Sequence, residues 1–126
     1  WRNPPAGTKS FAITVYDPDA PTGSGWWHWV VINIPSTTSM LPESAGNPTL
    51  RLLPSAAKQV PTDFGQPGFG GACPPVGDKP HKYIFTVYAL NTEKIDLPSN
   101  ATAAFAGFMI KAHLIDKVSV TAIYGR

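Results

Sequence analysis

Charge is what this sequence has least of. Asp, Glu, Lys and Arg make up only 14% of its 126 residues, against roughly 25% in a typical domain. The surface must therefore be uncharged polar, or partly covered by a partner. The ten Lys and Arg are scattered and the net charge is +2, so no basic stripe exists to follow a nucleic-acid backbone. No apolar run approaches the ~20 residues that would span a bilayer. A single cysteine, Cys73, excludes an internal disulfide. There is no internal repeat and no low-complexity segment.

What is abundant is punctuation. Proline and glycine number 14 and 11, mostly between strong apolar runs, which is the pattern of a loop-rich β domain. At this length the chain forms one domain with a single core, residues 1–126. In "KSFAITVYD" Phe11, Ile13, Val15 and Asp17 share one face, which predicts a half-buried strand. The prolines of "DPDAP" stop it. A second strand spans 26–34. Simple alternation puts Trp26, His28, Val30, Ile32 and Ile34 on one face and Trp27, Trp29, Val31 and Asn33 on the other. Both faces are largely apolar, so this strand belongs in the interior of a sheet.

Residues 35–80 read as loop, and so long a connection is often functional or carries short structure of its own. "HKYIFTVYALN", 81–91, is a third strand. The period then becomes helical through Ala101, Phe105, Phe108, Met109 and Ala112, with Ser99 or Asn100 available as N-cap and an end near Leu114. "KVSVTAIYG" is a final strand. The pattern is mostly antiparallel β with one late α-helix.

Polar chemistry gathers at strand ends. Asp17 and Asp19 close the first strand, His28 opens the second among Trp26, Trp27 and Trp29, and His81 and Tyr83 open the third. In an antiparallel sheet these ends lie side by side, so Asp17, His28 and His81 can converge. Each also has a plainer reading. Asp17 caps a turn, the histidines are satisfied core groups, the tryptophans are core, and Gly68, Gly70 and Gly71 are turns. Their co-occurrence at strand ends favours a site. Two histidines and Asp17 could also imitate a two-His-one-carboxylate metal site, with no flanking ligand motif to support it. Ser24 sits in "GSGWW" rather than a nucleophile elbow, and no triad can be assigned. Cys73, near His81 in sequence, raises a thiol nucleophile.

Three ordered blocks, "DPDAP", "GWWHWVV" and "GACPPVGDKPHKYIFTVYAL", resemble the signature blocks of the phosphatidylethanolamine-binding protein (PEBP) family. The detail is similar to its bacterial YbhB/YbcL branch, also called Raf-kinase-inhibitor-like. The resemblance runs from "PAGTKSF" to the terminal "YGR". It implies a PEBP-like antiparallel β-sandwich with long Pro/Gly-rich loops and a small anion pocket for phosphoryl or phospholipid-headgroup-like ligands. It also implies that a family segment upstream of Trp1 is missing. A resemblance to the bacterial branch implies that the additional C-terminal helix of eukaryotic members is not expected.

On matching positions the resemblance implies ligand-binding roles for Asp17, Asp19 and Ala20, for Trp26 and His28, and for Gly71, Pro74, His81 and Tyr83. His28 becomes a pocket donor and Trp26 a wall, with Trp27 and Trp29 packed behind. Chemistry agrees: imidazoles supply N–H groups and a charge near pH 6.5 or below, and Gly70 and Gly71 would let backbone amides approach an anion. Asp17 should repel an anion, so its expected task is to accept a histidine N–H and favour imidazolium. Sulfate affinity should then fall as pH rises through the histidine range. The expected function is non-enzymatic binding, with no cofactor, no nucleic acid and no membrane span. Modulation of a partner protein, as by a kinase or protease inhibitor, and a homodimer stay open. The alternatives are a metal-dependent enzyme using His28, His81 and Asp17, and a surface-acting inhibitor with a vestigial pocket. The branch with "GGACPP" implies a bacterial periplasmic or secreted protein whose Cys73 pairs with an upstream cysteine, or else a cytoplasmic one.

Overall fold

The computed structural model describes residues 1–126. Its elements are β1 (Ser10–Asp17), β2 (Trp26–Pro35), β3 (Lys58–Gln59), β4 (His81–Leu90), α1 (Ala103–Ala112) and β5 (Leu114–Tyr124). They form one five-stranded sheet in the order β3-β2-β1-β4-β5, antiparallel at every pairing. The fold is therefore mostly antiparallel β with a single short helix, as expected.

β1 is the middle strand and is buried on both faces except at Tyr16. The expectation of a half-buried strand is corrected here. Its polar positions are satisfied inside the protein: Ser10 Oγ donates to the Thr92 carbonyl at 2.6 Å, and the Thr14 hydroxyl lies 3.1 Å from that of Tyr88. Short hydroxyls with partners are inexpensive to bury.

One face of the sheet packs Ala12, Val30, Ile32 and Leu90 against Ala103, Ala106 and Ile110 of α1. The other packs Phe11, Ile13, Val15, Trp29, Val31 and Ile34. Leu41, Leu53 and Ala57, from the long 36–80 connection, cover that second face. Within residues 1–126 the layer opposite α1 is thus built by loop, and the two-residue β3 is the only strand in that connection.

The α1 N-cap is Thr102, whose Oγ1 accepts from Phe105 N at 3.1 Å, rather than Ser99 or Asn100. His113 caps the C-terminus and β5 follows at once, three residues before the expected start of the last strand. No helix is long and apolar enough to cross a membrane.

Strand β2 departs from simple alternation at two places. Phe11 faces Ile34 but Ile13 faces Val31, and Val15 faces Trp29 but Tyr16 faces Trp27. Each shift is a β-bulge, which adds a residue and re-aims the side chains beyond it. Asn33 sits in one of them with φ +61°, and His28 in the other. As a result Trp29, Val31 and Ile34 share the core on the loop side, while Val30 and Ile32 face α1. The alternation expected from sequence, which grouped Ile34 with Val30 and Ile32, is overturned by these bulges.

Candidate functional site

The site is built at one end of the sheet. Antiparallel pairing brings the end of β1 beside the start of β2, with Asp17 opposite Trp26. β4 starts on the other side of β1. Over these three strand ends folds the 70–75 segment. A cavity of about 240 Å³ results. Asp17, Ala20, Trp26, His28, Pro74, His81 and Tyr83 line it, so seven of the nine expected positions come together. Phe64, Cys73 and Pro75 complete the wall, with Pro21 and Thr22 at the turn. A depression of about 490 Å³ between the 44–48 and 62–70 loops is larger but presents no titratable side chain.

Asp19 and Gly71 do not line the cavity. Asp19 ties strand ends together. Its N–H donates to Asp17 Oδ1 at 2.8 Å and its Oδ2 accepts from Lys82 N at 2.8 Å. Gly70 does not offer its amide to the cavity either. Its N–H donates to the His28 carbonyl at 2.9 Å, and its own carbonyl accepts from His28 Nδ1 at 2.8 Å. A Cβ at residue 70 would collide with the Phe64 ring, so glycine is needed there for side-chain packing rather than for anion approach.

The two histidines differ. His81 is 3% exposed and both its ring nitrogens meet carboxylates. Nδ1 donates to Asp17 Oδ2 at 2.7 Å and Nε2 to Asp78 Oδ2 at 3.1 Å. The Asp17 hydrogen bond raises the His81 pKa above its ordinary value, burial opposes it, and the Asp78 hydrogen bond adds to the rise. Asp17 thus performs the expected orienting task, toward His81. His81 is correspondingly not a free donor. Asp78 was not foreseen; the only hint was a carboxylate three residues before a histidine in "DKPH".

His28 is 4% exposed and packs edge-on against Phe64 and Tyr83, with ring centroids 5.3 and 5.2 Å away. Its Nε2 has no protein partner. The Tyr83 hydroxyl is buried with no acceptor for its proton; burial raises its pKa, and the Cys73 backbone N–H directed at its oxygen opposes the rise. Trp26 is the expected wall, edge-on to Phe64 at 5.5 Å. Trp27 and Trp29 pack on opposite sides of the sheet, and Trp29 Nε1 donates to Gln59 Oε1 at 2.7 Å. Phe64, from the 62–70 loop, had no signal in the sequence beyond being an aromatic in a Gly-rich stretch.

No three His, Cys, Asp or Glu side chains are disposed to hold a metal ion. With His81 bound at both nitrogens, and His28 at Nδ1, the metal-site reading of His28, His81 and Asp17 has no converging lone pairs. Cys73 is an exposed free thiol that makes no hydrogen bond to either imidazole.

Comparison with known proteins places this geometry. The family model described as phosphatidylethanolamine-binding protein matches residues 1–125. YbcL of Escherichia coli K12 is 57% identical over 124 residues, which are 98% of this chain and 68% of that protein. YbhB of the same organism is 51% identical, over 98% of this chain and 77% of its own length. The crystal structure of E. coli YbcL, described as a new member of the mammalian PEBP family, superposes with a TM-score of 0.94 over 97% of this chain and 74% of that one. With a family model spanning the chain, relatives above half identity and the same strand framework, the chain belongs to the phosphatidylethanolamine-binding protein family.

Proposed function

We propose that this domain is a non-enzymatic binding module whose 240 Å³ cavity takes a small phosphoryl-type oxyanion, free or as a phosphorylated headgroup. The observation that carries the reading is the Tyr83 hydroxyl, buried with no acceptor for its proton at a cavity it shares with the open Nε2 of His28. A buried polar atom left unpaired costs about 1–3 kcal/mol, a cost that a ligand oxygen removes. Apolar walls from Trp26, Phe64, Pro74 and Pro75 would strengthen such hydrogen bonds by excluding water. Against catalysis stands the absence of an activated nucleophile. Ser24 lies outside the cavity lining, and neither histidine is hydrogen-bonded to Cys73.

Modulation of a partner protein belongs to the same proposal; exposed apolar side chains such as Phe105 and Phe108 of α1 support it. A bacterial periplasmic or secreted location is part of the same proposal, with a cytoplasmic one as the alternative, and fractionation of the native host tests it.

Titration with inorganic phosphate, followed by calorimetry and by tryptophan fluorescence through Trp26, tests the pocket. His28→Ala should remain folded and lose about 1.5–3 kcal/mol of binding, the worth of a hydrogen bond to a charged group. Unchanged affinity in a folded His28→Ala protein would remove His28 from the site.

A further inference from the structure

His28 is held in one tautomer. Its Nδ1 lies 2.8 Å from the Gly70 carbonyl, and a carbonyl can only accept, so Nδ1 carries the hydrogen. When the ring is neutral, Nε2 therefore presents a lone pair. That atom is the one ring nitrogen left for the cavity, and as it stands it cannot donate to an anion. Tyr83, whose ring centroid is 5.2 Å from that of His28, presents the opposite character, a phenolic O–H without a partner.

The surrounding charges do not supply the missing donor. The titratable groups that share the cavity with His28 are Asp17 from β1, His81 and Tyr83 from β4, and Cys73 from the covering segment. No Lys or Arg lines it. His81 is bound by Asp17 and Asp78, so the cationic ring and its two carboxylates sum to one negative charge. A fully ionised dianion would find Asp17 close by and no free cation.

We propose that the cavity selects an oxyanion that still carries one acidic proton, of the phosphomonoester or phosphonate class. The P–OH group donates to His28 Nε2, and a second phosphoryl oxygen accepts from the Tyr83 hydroxyl. This inference rests on the phosphoryl-pocket reading above and adds the protonation state. One proton then lies on the line between His28 and the ligand. An oxyanion with no acidic proton sets lone pair against lone pair unless the ring itself is protonated. Sulfonates and sulfate fall in that disfavoured class. So do phosphodiesters, the linkage of an intact phospholipid headgroup.

The test is calorimetry on the unmodified protein at pH 7.5 with three small anions. Methylphosphonate keeps one proton on a large share of its molecules at this pH. Methanesulfonate has nearly the same shape and the charge of that protonated form, but no proton. Dimethyl phosphate is the diester control. The expected result is methylphosphonate binding at least about tenfold more tightly than either other anion, the worth of one hydrogen bond to a charged group. Equal affinities at pH 7.5 would overturn the proton-matching inference and leave the pocket reading intact. Binding of none of the three would overturn both. A His28→Gln variant, checked for folding by thermal denaturation, adds a second measure. Its amide can turn to donate or accept, so the methylphosphonate preference should fall below about threefold, against the tenfold expected of the imidazole. Retention of the full preference in that variant would also overturn the assignment to His28.

Discussion

Replacing Asp17 with alanine will cost the fold about 3–5 kcal/mol, the range for removing one partner of a buried ion pair. Asp17 is 2% exposed and both carboxylate oxygens are engaged, Oδ1 by Asp19 N and Oδ2 by His81 Nδ1. The substitution leaves a buried N–H of His81 unpaired and unties the turn that leads from β1. Asp78 remains on Nε2, which sets the loss toward the lower end. The pH dependence has a definite sign. His81 has a folded-state pKa raised above its unfolded value, first by the Asp17 hydrogen bond. Its contribution is therefore fully present below about pH 6.5, the ordinary imidazole value, and is lost as pH rises through the folded-state value. Urea denaturation from pH 6 to 10 should show the deficit of Asp17→Ala shrinking toward alkaline pH. A deficit under about 1 kcal/mol at pH 6 would mean that the pair contributes no more than an exposed one.

The same pair shows what the sequence could and could not reveal. That Asp17, His28 and His81 could meet was permitted by strand ends and antiparallel order. Which histidine would take the carboxylate was not settled by them, because His28 and His81 are chemically identical until their hydrogen bonds are known. Asp78 and the Gly70 carbonyl decide that division, and both come from the 36–80 connection, where proline and glycine erase periodicity. The charged-histidine account of anion binding is narrowed accordingly: His81 is bound at both nitrogens, and only His28 retains an open one.

Strands β1, β2 and β4 were legible to within a residue or so because apolar runs bounded by proline and glycine mark them. The start of β5 was not, since α1 passes into it through His113 with no glycine, proline or asparagine between. The faces of β2 were hidden for another reason. Alternation assumes one residue per half-pleat, and each bulge breaks that count. Gly71 and Asp19 were placed by resemblance at the ligand, yet neither lines the cavity; Asp19 is instead engaged by Lys82 N.

Asn33 is where that hidden geometry can be tested, and Asn33→Ala should destabilise the domain by about 3–5 kcal/mol through two separable terms. Asn33 lies in a run of valine and isoleucine, is 6% exposed, and holds φ at +61°. Asparagine tolerates this left-handed region better than most residues, and alanine there costs about 1–2 kcal/mol. The side chain also grips one residue of the 91–102 connection from both sides. Nδ2 donates to the Ile95 carbonyl at 3.1 Å, and Oδ1 accepts from Ile95 N at 2.7 Å. Ile95 is itself buried in the core beneath α1, so water cannot replace the lost bonds without opening that core. Glycine separates the terms, because it accepts the backbone angle but makes neither hydrogen bond. Asn33→Gly should therefore be more stable than Asn33→Ala by about 1–2 kcal/mol while still well below the unmodified protein. Equal stability of the two variants would show that the bulge relaxes when its asparagine is removed. The register of β2 between Val31 and Ile34 would then be set by core packing alone rather than by the Asn33–Ile95 pair.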